Sequence, residues 1–380
     1  MTTQPLTTMN ASAQPPINNT PLCYSINSPP FKYQPEIARA YFSALFGSLG
    51  LVSNLIAFVV LLKSFQRTHS RSRSSFLIFL GGLVVTDFMG LLVTSSIVIS
   101  FHVTHFNWRH LDPHCHFCNF MGMSMVFYGL CPLLLSAAMA LERFIGINRP
   151  FARSSMPKSR TVSMVLMVWV VAGCISLLPL LGVGGYHMQM PGSWCFFNIS
   201  SEGNDLIMSL LFSLVGLTSI TVSFLLNTVS VVTLIKVCCG QDSFQRRRDH
   251  EVEMMVQLIL IMVIASICWC PLLVFIAETV LSESPLQIRY LLLWLRFATW
   301  NQILDPWVYI LFRRAVLRRL YPRLDWSRGS IMSLYPSLSG TVRRFTRSSL
   351  GSTLGSDETG DSQKSNVTAT SALKTATPSQ

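Results

Sequence analysis

Between residues 38 and 311 the chain alternates long apolar runs with short polar breaks. Seven runs reach the ~20 residues that a spanning helix needs. They cover residues 38–62, 74–101, 116–147, 161–182, 205–238, 251–281 and 286–311. Several exceed the minimum and should tilt or project beyond the hydrocarbon. The pattern predicts an all-α membrane protein whose domain, residues 38–311, is a bundle of seven transmembrane helices. Residues 1–37 are polar and rich in Pro, Thr and Asn, as a flexible tail is. Residues 312–321 alternate basic and apolar positions at helical spacing, which predicts a short amphipathic helix on the membrane surface. Residues 322–380 are rich in Ser, Thr and Gly, the composition of a disordered tail. No apolar signal-peptide core precedes the first run.

Charge gives the bundle a direction. Half of the 380 residues are hydrophobic and 12% are charged, against about 25% in a soluble protein. Lys and Arg exceed Asp and Glu by 29 minus 17, or 12. In a spanning protein this surplus sets topology and does not imply a nucleic-acid partner. Lys63, Arg67, Arg71 and Arg73 follow span 1; Arg149, Arg153, Lys158 and Arg160 follow span 3. Lys236, Arg246, Arg247 and Arg248 follow span 5, and Arg313, Arg314, Arg318 and Arg319 follow span 7. The alternate loops hold only Arg109 and Arg289. The expected topology is therefore a multi-pass plasma-membrane protein with its N-terminus extracellular and its C-terminus cytoplasmic. Asn10 and Asn18 begin glycosylation sequons on the expected outer side, and Asn198 begins another between spans 4 and 5.

The polar residues inside the spans carry the chemistry. A charge near a bilayer centre costs roughly 2.5–3.5 kcal/mol even on insertion scales, so it stays only where it faces protein or a wet cavity. Span 7 holds Arg296, Asp305 and Pro306. The two charges lie about 13 Å apart along a helix of ~1.5 Å rise, too far to pair. Two depths imply two sites. Span 2 holds Asp87, and Glu142-Arg143-Phe144 ends span 3. Cys268-Trp269-Cys270-Pro271 lies in span 6, where Pro271 removes a backbone hydrogen bond and should kink the helix. An enzyme would need a convergent nucleophile or metal set, and none is visible; no catalytic residue and no cofactor is expected. The ten cysteines lack metal-ligand spacing. A transporter built on inverted repeats fits poorly with seven spans that show no repetition.

Asp87, Glu142-Arg143-Phe144, Cys268-Trp269-Cys270-Pro271 and Asp305-Pro306-Trp-Val-Tyr309, in this order on seven spans, resemble the rhodopsin-like G-protein-coupled receptors. The resemblance implies an activation switch made of Asp87, Glu142, Arg143, Trp269, Pro271, Asp305, Pro306 and Tyr309. Arg143 would restrain the resting state and then meet the G protein, and Trp269 would respond to ligand above it. The chain departs from the family's commoner Asn-Pro-x-x-Tyr by Asp305, and span 5 lacks the usual proline. Two readings of the acid pair stay open: a sodium ion between Asp87 and Asp305, or one proton shared by both. Met125 stands eighteen residues before Arg143, where amine receptors carry an acidic counter-ion, and Thr299 stands where opsins carry the retinal lysine. An amine ligand and a retinal Schiff base are therefore not expected.

Gly192-Ser193-Trp194-Cys195-Phe196 and the run Leu295 to Tyr309 are similar to the prostanoid receptors within that family, as is the span 5 without proline. The resemblance implies a prostanoid lipid acid as ligand. Its carboxylate would be held by Arg296, whose planar fork fits it bidentately. Thr94 would add a polar contact. Ser193, Trp194 and Phe196 would cap the pocket, and Met125, Leu292 and Trp269 would line it beside Leu91, Leu92, Ile97, Phe127 and Leu295. An internal ion pair between Arg296 and Glu278 remains the competing reading. The resemblance also implies a disulfide Cys118–Cys195. That leaves Cys23 and Cys115 on the outer side; their pairing would tie the N-terminal tail to the pocket mouth, and a free Cys115 is the alternative. Expected partners are membrane lipid, a heterotrimeric G protein of the Gq type, and arrestin and kinases at the C-terminal tail.

Overall fold

The computed structural model describes residues 23–24, 40–67, 71–148, 157–190, 192–240 and 245–311. The amphipathic segment 312–321, the C-terminal tail and the sequons at Asn10 and Asn18 lie outside the described residues. Seven long helices follow one another: α1 (Ala40–Gln66), α2 (Arg71–Thr104), α4 (His116–Asn148), α5 (Lys158–Leu177), α6 (Gly203–Gly240), α7 (Gln245–Leu281) and α8 (Ile288–Leu311). A four-residue helix α3 (Trp108–Leu111) sits between α2 and α4. A 3₁₀ turn (Leu178–Leu181) ends α5, carrying Pro179 near its start and Gly182 in the left-handed region behind it. A hairpin of β1 (Tyr186–Gln189) and β2 (Trp194–Phe197) bridges to α6. Six of the long helices are apolar enough by themselves to cross a membrane. The remaining one, α8, carries Arg289, Arg296, Asn301 and Asp305 within its 24 residues. Pro132, Pro271 and Pro306 each lie inside a continuous helix.

Helix α4 is the axis of the bundle, packed against α2, α5, α6, α7 and both hairpin strands. The core has two parts. One, near the hairpin, gathers Met121, Val126, Leu130, Phe196, Phe197, Phe212, Trp269 and Leu292. The other, toward the opposite end, gathers Phe76, Phe79, Leu80, Leu83, Leu258, Ile261 and Tyr309. Leu, Val and Phe also cover the outward faces of α1, α5 and α6, as lipid contact requires. In such a bundle apolar burial cannot drive helix association alone, and close backbone approach and buried polar contacts take over. Gly122 shows this, since a methyl group there would overlap the ring of Tyr186.

Candidate functional site

The hairpin is the first component. Tyr186 pairs with Phe197, His187 with Phe196, Met188 with Cys195 and Gln189 with Trp194. All eight residues are buried, unusual for a connecting loop and suited to a plug over the bundle. Cys195 is bonded to Cys118 at the start of α4, which fixes the hairpin to the central helix. The Trp194 indole donates to the Met190 carbonyl at 3.0 Å, and Ser193 is buried beside it. Trp194, Phe196, Phe197 and Phe212 form a continuous chain of tilted rings, with successive centroids 4.1–6.0 Å apart. Asn198, just beyond β2, donates its side-chain amide to Asp205 at 2.8 Å.

A second disulfide joins Cys23 to Cys115. The Tyr24 hydroxyl reaches the Trp108 and Asp112 carbonyls at 3.2 and 3.1 Å. Burial, and then the nearby Asp112 carboxylate, push the Tyr24 phenol well above its ordinary pKa and keep it a neutral donor. Asp112 Oδ2 in turn accepts the backbone amides of Phe117 and Cys118, both at 2.9 Å. Those amides belong to the first turn of α4, where a carboxylate satisfies orphan donors and complements the helix dipole.

Below the hairpin lie the candidate ligand contacts. Arg296 is half-buried one turn beyond Leu292, which is buried in the core with Trp269. Met125 and Leu295 pack against the same core. Thr94 is half-buried, and its hydroxyl donates to the Gly90 carbonyl at 2.7 Å within its own helix. Trp269 lies over Gly129, where a methyl group would come 2.9 Å from Cη2. Leu92 is 38% exposed on α2, one position off the face that buries Leu91. Glu278 is exposed and Arg296 is half-buried.

A polar layer crosses the bundle at mid-depth. Asp87 is fully buried on α2, and Asp305 is buried on α8, accepting from Asn301 at 2.8 Å. Both oxygens of Asp87, Oδ1 of Asp305 and Oδ1 of Asn301 are buried without a hydrogen-bond partner. Such a set of hard oxygens suits a monovalent cation or a shared proton. No cluster of three or more His, Cys, Asp or Glu occurs among the described residues, so a transition metal has no cage here. Asn54 donates to the Gln302 carbonyl at 2.9 Å, and Gln302 donates to the Tyr128 carbonyl at 3.3 Å, which ties α1, α8 and α4 together.

At the far end Arg143 is held from three sides. Its Nη2 lies 2.7 Å from Glu142 Oε2 and 2.8 Å from the Ser72 carbonyl. Its Nη1 donates to Ser72 Oγ at 2.8 Å, and the guanidinium sits 5.8 Å from the Phe76 ring centre. Met254 Sδ on α7 closes the shell at 3.8 Å. Beside it a cavity of about 10 Å³, the size of one water, is lined by Arg73, Phe76, Leu77, Glu253, Met254, Gln257 and Tyr309.

The sequence profile described as "7 transmembrane receptor (rhodopsin family)" matches residues 53–309. The chain belongs to the rhodopsin family of seven-transmembrane receptors. The thromboxane A2 receptor of Bos taurus is 56% identical over 315 residues, covering 80% of this chain and 91% of that protein. The Homo sapiens thromboxane A2 receptor is 55% identical over the same shares of both chains. The prostaglandin F2-alpha receptor of Mus musculus is 41% identical over 74% of this chain and 78% of its own. Squid rhodopsin shares the fold, with a TM-score of 0.58 and 18% identity over 74% of this chain and 84% of that one. The chain is a multi-pass membrane receptor and not an enzyme.

Several residues of this receptor escaped sequence reasoning. Ser72, which takes two bonds from Arg143, reads as one serine among several in 71–75. Asp112 was hidden in a polar loop, although a carboxylate before a helix start is a legible capping signal. Gly129 and Gly122 carry no pattern of their own, because what they accommodate comes from other elements.

Proposed function

We propose that this receptor binds a prostanoid lipid acid, thromboxane before others, and activates a heterotrimeric G protein of the Gq type. The observation that carries the reading is Arg296: a half-buried guanidinium one helical turn from Leu292, next to an apolar core that includes Trp269 and the hairpin aromatics. A planar guanidinium beside an apolar core fits the carboxylate of an otherwise greasy ligand, and a low dielectric strengthens such a pairing. Thromboxane A2 receptors at 54–56% identity support the narrower choice. In this reading Arg296 anchors the carboxylate and Thr94 adds a polar contact. Ser193, Trp194 and Phe196 form the lid, while Met125, Leu292 and Trp269 take the chain of the ligand. Asp87, Glu142, Arg143, Trp269, Pro271, Asp305, Pro306 and Tyr309 carry the signal inward.

The hairpin and both disulfides face outside, in the oxidising compartment. The Arg143 end and the basic loops face the cytoplasm, where the C-terminal tail meets kinases and arrestin. A second reading, a receptor for prostaglandin F or E, rests on the 41% identical prostaglandin F2-alpha receptors. Nucleotide exchange on membranes carrying this receptor, with a panel of prostanoids and Gq, Gs and Gi heterotrimers, separates the two. Response to a thromboxane mimetic at the lowest concentration is expected. Response to no prostanoid would overturn the reading.

A further inference from the structure

Two exposed imidazoles at the foot of the first loop have no role in any of this. His114 and His116 flank Cys115, and their ring centroids lie 5.9 Å apart. Their approach has a backbone cause. Cys115 has φ 63°, in the left-handed region that non-glycine residues seldom occupy. Its disulfide to Cys23 and the surrounding hydrogen bonds over-determine that conformation. Cys115 N donates to the Asp112 carbonyl at 3.3 Å, and Asn119 N donates to the Cys115 carbonyl at 2.9 Å. Asp112 clamps the amides of Phe117 and Cys118 just beyond. The two rings are thus carried on a fixed turn.

With metal–nitrogen bonds of about 2.0–2.1 Å and the ion in the plane of each ring, two imidazoles on one tetrahedral centre have centroids roughly 5–6 Å apart. We propose that His114 and His116 form a two-imidazole site for a borderline divalent transition metal, with zinc the natural occupant in an oxidising compartment. Imidazole is the ligand such ions select, and Mg²⁺ and Ca²⁺ prefer oxygen. The sulfurs of Cys23 and Cys115 are committed to their disulfide and supply no thiolate. No third His, Cys, Asp or Glu converges there among the described residues, so water completes the coordination. The ion braces the turn to which the N-terminal tether and the start of α4 are both attached, and so stiffens the rim of the bundle beside the hairpin.

The test uses the full-length receptor in nanodiscs with its disulfides intact. ZnCl₂ and NiCl₂ are titrated calorimetrically, with MgCl₂ as control, into wild type, His114→Ala, His116→Ala, the double variant, and His114→Gln with His116→Gln, which keeps polar side chains on the turn. Peptide mapping of Cys23–Cys115 in each variant verifies the turn. Wild type should show one more zinc site than the double variants, each single variant should lose about tenfold or more in affinity at that site, and Mg²⁺ should not compete. Hydrogen exchange over residues 108–118 should slow with zinc in wild type only. Zinc isotherms of wild type and double variants that superimpose, or equal slowing in all of them, would overturn the proposal.

Discussion

Glu142→Gln tests how Arg143 is restrained. The substitution keeps shape and removes charge. Glu142 and Arg143 are both buried, and their side chains are 7% and 4% exposed, so solvent screens the pair little. Removing one partner of a buried pair typically costs about 3–5 kcal/mol, because a charge is left uncompensated. Here the residue left behind keeps much of its shell: two bonds from Ser72, the Phe76 ring face and the Met254 sulfur remain. The neutral amide also still accepts a hydrogen bond. The expected loss is therefore nearer 1–2 kcal/mol, or about a 5–30-fold shift toward states that release Arg143. Basal nucleotide exchange should rise by up to that factor at equal surface expression, without ligand. Ser72→Ala should raise it less, since the Ser72 carbonyl contact survives. Unchanged basal exchange in Glu142→Gln and in the combined Glu142→Gln, Ser72→Ala receptor would refute the view that this shell holds the resting state.

Arg296→Leu should abolish binding of carboxylate prostanoids with surface expression kept, and Arg296→Lys should restore only part of it, because charge remains while the fork is lost; saturation binding decides, and normal binding by the Leu variant would move the anchor elsewhere. Asp112→Ala removes two charge-assisted bonds to the first turn of α4 and should cost about 2–3 kcal/mol, read as a lower Tm of the purified receptor, with Asp112→Asn intermediate. Gly129→Ala presses on Trp269 and should change agonist efficacy more than antagonist affinity, measured as exchange against binding in one preparation. Ligand should reach the pocket through the bilayer between helices: on-rates should follow membrane-partitioned ligand and respond little to Trp194→Ala, and the reverse outcome would place the route through the hairpin mouth.

The sequence alone determined the number of spans, their order and the positions of their charged interruptions. Those follow from length and hydropathy, and the bilayer allows few alternatives to a helix for an apolar run of twenty residues. It also named Arg296, Asp87, Asp305 and Arg143, since a charge inside a span is too costly to be incidental. What it could not give was which face of each helix looks inward. Lipid and core are both apolar, so a spanning helix is hydrophobic all round and its inner stripe leaves a faint signal. Leu91 and Leu92 are indistinguishable in the sequence, yet one is buried and the other is exposed. The same limit hid Gly129 beneath Trp269, Ser72 beneath Arg143, and Asp112 between Tyr24 and α4. Each of those contacts joins residues from different elements, and only the packed bundle brings their atoms within bonding distance.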